Sequence, residues 1–300
     1  MSRSTYYPFK SASLKEEYLA YYHKTECEFW PVPFTDKVIK TTYGQTLVRL
    51  SGPKNAPPLV LLPGITATSL MWYPNVEAWC KNYRVYAIDT INDYGLSINT
   101  RTMWRGKDYV AWLADLFAHL GFKTKINLLG MSYGGWLTAL YAAAYPEKLN
   151  KIILIAPGGT VFPIQTKFLL VLAGIFFLPY NLVEKLLIKW VGGDKTANAG
   201  IGDDISNFVQ CLLRGLSHFQ KRFIALPSVF SSRQWQALRV QTLFMIGEKE
   251  KMYPADLVLK HLRTVAPQVQ TALIPGVGHD LTFLQATLVN KVVVDFLQKS

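Results

Sequence analysis

Five short, nearly uninterrupted apolar runs limit what this chain can fold into: "PPLVLLPG", "YRVYAID", "KINLLG", "KIILIAPGG" and "VQTLFMIG". Each is four to eight residues of aliphatic and aromatic side chains ended by a turn residue, the pattern of a strand buried on both faces. Helical stretches near residues 106–120, 133–145 and 254–264 lie between or after them. Strands alternating with helices imply a mostly parallel sheet covered by helices on both sides. Before this series, "DKVIKTTYGQTLVRLSG" alternates and turns at Tyr43-Gly44, as a hairpin does. Residues 11–29 are predicted as an amphipathic helix, with Ser13 as N-cap and Glu16 three positions later.

The alternation stops between about Thr160 and Arg233. That segment reads as several helices, including "TKFLLVLAGIFFLPYNLVEKLLIKWVGG", inserted after one strand and before the next. We therefore expect a core of residues 1–159 and 234–300, with 160–233 forming a helical cap over the sheet edge where strands end. The uncharged run from Phe168 to Leu178 falls short of the roughly 20 residues a membrane-spanning helix needs. It suits a cap helix, with peripheral contact at a membrane surface as the competing reading.

Half of the 300 residues are apolar and 17% are charged, which excludes a disordered chain. The net charge of +12 is scattered, with no run of five or more positive residues, so no nucleic-acid site is expected. Cys27, Cys80 and Cys211 stand far apart in no metal-ligand spacing. Free thiols and the lack of a basic-then-apolar leader in "MSRSTYYPFKSASLKEEYLAYY" point to a reducing compartment, the cytoplasm.

Chemistry enters at "INLLGMSYGGWLTALYAAAYP" (126–146), where Gly130-Met131-Ser132-Tyr133-Gly134 joins a strand to an alanine-rich helix. A turn that sharp strains the backbone at Ser132, lifts its hydroxyl above the sheet edge, and needs glycines where strand and helix approach. A serine is a weak nucleophile alone and needs a base, an acid and an anion pocket. Of the five histidines, His23 and His119 lie on helices before Ser132, His218 lies in the insertion, and His261 lies inside a helix. His279, in "TALIPGVGHDLTF", occupies a glycine-rich loop between a strand and the final helix, where an imidazole can lean over a strand end.

The acid should follow an intervening strand, and "GEKEKMYPADLV" offers Glu250, then Glu248, with Asp256 starting the next helix. Glu250 sits on the loop, where a carboxylate can take the imidazole Nδ1 proton in a hydrogen bond. The oxyanion donors expected are the N–H of Tyr133 and that of Ile65, ahead of Thr66, on the turn that Gly64 permits. The hydroxyls of Thr66, Thr68 and Ser69 would either meet substrate or cap the next helix.

With these pieces assembled, the chain resembles the α/β-hydrolase superfamily along nearly its whole length, and is most similar to bacterial esterase-like members with a helical cap. The matching stretches are "LVLLPGITATSLMW", "VYAIDTINDYGLS", "GMSYGG", "GEKEKMYP" and "GVGHD". It departs from the family pattern at Pro63, where a histidine usually precedes Gly64, and its hydrogen bonds are gone. It departs again at Glu250, where aspartate is usual, and at Asn92-Asp93, where relatives often carry glycine. Serine at 132 argues against dehalogenase and epoxide-hydrolase relatives, which use aspartate there.

The resemblance implies an α/β-hydrolase fold and a serine hydrolase with a Ser132–His279–Glu250 triad, needing no cofactor or metal. The expected substrate is a small ester with an apolar part, lined by Thr66 and, in the cap, by Phe168, Leu169, Phe176 and Phe177. The same triad serves carbon–carbon bond and amide hydrolysis, acyl transfer and cofactor-free haloperoxidase chemistry. A silent ligand-binding protein on this fold is the reading from another class.

Overall fold

The computed structural model describes residues 5–166, 170, 182, 210 and 213–299. The insertion expected at 160–233 falls largely outside them, as do Phe168, Leu169, Phe176, Phe177 and Cys211. The chain leaves for this segment and returns at one place, where the Phe230 N–H donates to the Thr160 carbonyl at 2.8 Å.

Each apolar run is a strand. They are β3 (Pro58–Leu62), β4 (Arg84–Ile88), β6 (Ile126–Met131), β7 (Leu149–Ile155) and β8 (Gln241–Gly247). The hairpin β1 (Phe34–Thr41) and β2 (Gly44–Ser51), the short β5 (Ile98–Asn99) and β9 (Gln270–Ile274) complete one sheet of order β1-β2-β4-β3-β6-β7-β8-β9, with β5 on β2. From β4 through β9 along that order the strands are parallel. The hairpin turns one residue earlier than expected: Thr41 pairs with Gly44, leaving Thr42 and Tyr43 as the loop.

Successive side chains of a strand point to opposite faces, which explains why these runs are apolar throughout. In β3, Val60 and Leu62 enter a buried cluster with Trp112 and Trp136, whereas Leu59 and Leu61 enter another with Trp72 and Trp79. The helices α3 (Gly106–Leu120) and α4 (Tyr133–Ala144) supply the first pair of tryptophans; α2 (Tyr73–Cys80) and the turn before it supply the second. Further helices among the described residues include α5 (Ser232–Gln236), α6 (Ala255–Val265), α7 (Leu281–Leu284) and α8 (Ala286–Gln298).

The N-terminal helix α1 (Ala12–Phe29) buries Tyr18, Tyr22, Thr25 and Glu26, a stripe at helical spacing. Its cap is Ser11 rather than Ser13: the Ser11 Oγ accepts the Leu14 N–H at 3.2 Å, and Ser13 is already helical. A cap must have extended backbone, and Ser11 has it at φ −151°.

The helix is clamped by Arg49 of β2, whose side chain is fully buried. Its guanidinium donates to both Asp36 oxygens, at 2.9 and 2.7 Å, and to Glu26, and it stacks 4.2 Å over the Phe34 ring. One helical turn before Glu26, Tyr22 donates to Asp89 at the end of β4 (3.1 Å), and Asp89 accepts the N–H of Ser69 (2.7 Å) and of Leu96 (2.8 Å). So α1 braces the loops that leave β3 and β4.

Removing one partner of a buried ion pair leaves the other charge unpaired. Arg49→Met is expected to destabilise the protein by about 3 kcal/mol, read as a lower urea midpoint at unchanged m-value.

Candidate active site

The parallel registers bring four loop origins to one sheet edge. Leu62 of β3 pairs with Gly130 of β6, Met131 with Ile155 of β7, and Gly247 of β8 with Ile274 of β9. The loops that follow carry Gly64 and Ile65, Ser132, Glu250 and His279.

Ser132 is the single residue between β6 and α4, at φ 52° and ψ −114°, a conformation that side chains rarely adopt. Its backbone is held on three sides: its N–H donates to the Ile155 carbonyl at 2.9 Å, and its carbonyl accepts from Trp136 and Gly158. The flanking glycines permit the turn. A Cβ on Gly130 would lie 2.1 Å from the Gly134 carbonyl oxygen, and one on Gly134 would lie 2.2 Å from that of Leu62. The serine is half-buried, where a reactive hydroxyl must be.

The oxyanion-loop candidates are adjacent. A Cβ built on Gly64 would stand 3.6 Å from the Ser132 Cβ. Residues 64–67 form a turn closed by the Ala67 N–H on the Gly64 carbonyl (3.2 Å), with Thr66 left-handed at φ 63°. Such a conformation costs a β-branched residue about 1–3 kcal/mol. The Thr66 N–H is committed to Asp93 Oδ2 at 2.9 Å, and its hydroxyl donates to the Ile65 carbonyl at 2.5 Å. By contrast, the Ile65 and Tyr133 amides have no hydrogen bond among the described residues. For Tyr133 this follows from being first in its helix, where no carbonyl lies one turn back. Thr68 caps the turn Ser69–Trp72 through the Leu70 N–H, and the Ser69 hydroxyl meets Tyr22 in the core.

Of the acid candidates, Glu250 meets the imidazole: its Oε2 lies 2.8 Å from His279 Nδ1. Its side chain is fully buried, whereas 23% of the imidazole is exposed. The other oxygen accepts the N–H groups of Lys251 and Met252, at 2.8 and 2.9 Å. Burial pushes the Glu250 carboxyl up, but the imidazole and these donors more than offset it, and the net shift is downward. Burial pushes His279 down, the carboxylate pushes it up, and its pKa ends above 6.5. Glu248 instead accepts the Gly276 N–H at 2.8 Å, and Asp256 lies in the first turn of α6.

The other histidines are engaged elsewhere. His23 pairs with Glu26, His119 with Asp115, His218 packs against Tyr18, and His261 stacks on Phe162. Sequence reasoning marked Asn92-Asp93 only as a departure from glycine. In the fold, Asn92 donates to the Phe223 carbonyl (2.8 Å) and to Tyr109 Oη (3.1 Å), and the Tyr133 hydroxyl donates to the Ala225 carbonyl (3.0 Å). These bonds tie the returning end of the insertion to the site; a separation of more than 90 residues gives no local signal for them.

Comparison with known proteins identifies the family and the fold. A model of the alpha/beta hydrolase family matches residues 59–292. A Bacillus subtilis protein described as the uncharacterized carboxylesterase nap is 32% identical over 287 residues, covering 94% of each chain. The carboxylesterase YbfK of the same organism is 30% identical over 278 residues, covering 89% of each. The crystal structure of naproxen esterase from Bacillus subtilis superposes with a TM-score of 0.87 at 31% identity, over 96% of this chain and all of that one. The chain belongs to the alpha/beta hydrolase family, as an esterase-like hydrolase.

Proposed function

We propose that this hydrolase cleaves carboxylic esters with an apolar acyl or alcohol part through an acyl-enzyme on Ser132. The observation that carries the reading is the contact between buried Glu250 and His279 Nδ1, on loops that leave the same sheet edge as the strained Ser132 turn. Ser132 Oγ attacks the ester carbonyl as its proton passes to His279 Nε2, and the tetrahedral oxyanion forms between the N–H groups of Tyr133 and Ile65. The intermediate collapses, the C–O bond breaks, and the alcohol leaves with the proton from His279. Water then repeats the sequence and frees the acid and Ser132. Glu250 holds Nδ1 protonated and stabilises the transient imidazolium. Thr66, half-buried beside Ile65, borders the substrate space. The inserted segment 160–233 acts as the cap; its apolar sequence favours an apolar substrate.

No helix among the described residues is long and apolar enough to cross a membrane. Cys27, Cys80 and Cys211 stand far apart, as free thiols do in a reducing compartment, which favours action in the cytoplasm.

Ser132→Ala is expected to abolish both turnover of short p-nitrophenyl esters and labelling by a fluorophosphonate. Wild-type turnover by this variant would sink the serine nucleophile.

The base must be neutral to accept the serine proton, so kcat/KM should rise with pH through the raised His279 pKa, above 6.5. Glu250→Gln removes the charge that raises it. That variant should lose roughly 10³-fold or more in kcat and shift the acid limb to lower pH. The same change at Glu248 should leave the limb in place; the reverse ordering would move the acid by two residues.

A further inference from the structure

We infer that Asp93 is a positioning residue for the oxyanion hole, holding the Gly64–Ala67 turn in the one conformation that aims the Ile65 N–H at the reacting carbonyl. The inference rests on the serine-hydrolase reading above.

The turn has a conflict built into it. Thr66 is its third residue at φ 63°, and Ile65, the second, is not among the positive-φ residues, so the turn is of type II. That type wants glycine or asparagine at its third position; a threonine there prefers type I. The two types interconvert by a half-turn of the central Ile65–Thr66 amide. Left to its own preference, this turn would flip.

Two hydrogen bonds oppose the flip. The Thr66 N–H, on the central amide, donates to Asp93 Oδ2 at 2.9 Å, and Thr66 Oγ1 donates back to the Ile65 carbonyl. Only the first comes from outside the turn. The other outside contact, the Gly64 N–H on Met71 Sδ at 3.3 Å, is to a weak acceptor. Asp93 is itself fixed. It is buried, its Oδ1 accepts the Tyr94 N–H at 2.8 Å, and its carbonyl accepts from Arg222. Burial lifts its carboxyl to about 6, so it is ionised at the mildly alkaline pH of an esterase assay and makes a charge-assisted bond.

The Ile65 N–H sits on the amide immediately before the one that would flip. Donors of this kind must be held within about 0.5 Å to be effective. The placement also accounts for two departures from the family pattern together. Where a histidine would have anchored the loop, Pro63 offers no side-chain hydrogen bond, and Asp93 reaches in from the next loop to supply one.

The test is a variant cycle read by fluorophosphonate labelling and by steady-state ester hydrolysis. Asp93→Ala should label Ser132 roughly 30-fold more slowly and lose a similar factor in kcat, with KM within about two-fold of wild type. Asp93→Asn keeps an oxygen acceptor and should recover much of that loss. Thr66→Gly accepts the left-handed conformation without strain. Added to Asp93→Ala, it should restore labelling and kcat to the level of Thr66→Gly alone. A purely structural defect would not be repaired by a glycine in another loop. If Asp93→Ala does not fold, Asp93→Ser, too short to reach Thr66, replaces it in the same cycle. Labelling of the Asp93 variant at the wild-type rate, or no recovery by either second change, would overturn the inference alone. Failure to label the wild type would overturn the serine-hydrolase reading and the inference with it.

Discussion

The close seating of α4 against β3 and β6 is the contact on which the rest of the site depends. With side chains at Gly130 and Gly134, the helix could not come near enough for Ser132 to be the only residue between strand and helix. The seating also puts the Tyr133 N–H at the head of α4, one residue after the Ser132 side chain that adjoins the Gly64 turn. One packing distance thus sets Ser132, the Tyr133 amide and the Gly64 turn together. The backbone strain at Ser132 is tolerated because Ile155, Trp136 and Gly158 bond its peptide groups from the sheet, the helix and the next loop.

A second layer of buried polar contacts carries that precision outward. Arg49 grips α1, Tyr22 of α1 holds Asp89, and Asp89 holds the N–H groups of Ser69 and Leu96. Asp93, four residues on, holds Thr66. The loops after β3 and β4 are thereby fixed by carboxylates that accept backbone N–H groups in the interior, where such bonds are strong and costly to leave unmade. On the opposite side, Glu250 does the same for its own loop while facing His279.

Much of this is legible in the sequence for identifiable reasons. Doubly buried strands advertise themselves as unbroken apolar runs, and β3, β4, β6, β7 and β8 all do so. A serine between glycines at a strand-to-helix junction leaves few conformations open, so Ser132 could be placed on its elbow before any coordinates existed. His279 stood out because the other histidines sat on helices, before the serine or in the insertion. The cap of α1 lies two residues before the one its sequence suggests, because Ser11 and Ser13 offer the same hydroxyl and only the backbone angle distinguishes them. Nothing local in the sequence reveals that the Thr66 N–H is taken by a residue 27 positions away.

By itself the sequence determined the five doubly buried strands, the hairpin before them, the helices α1, α3, α4 and α6, the mostly parallel sheet and the place of Ser132 on its turn, because these follow from side-chain periodicity and from glycine's freedom at one sharp turn. Only the tertiary structure decided which of two glutamates faces the imidazole. Glu248 and Glu250 differ by two places on one loop, and the contact depends on how β8 and β9 lie in register. It likewise decided that Asp93, rather than a neighbour in the chain, accepts the Thr66 N–H. A hydrogen bond between loops from different strands exists only once those strands are placed side by side.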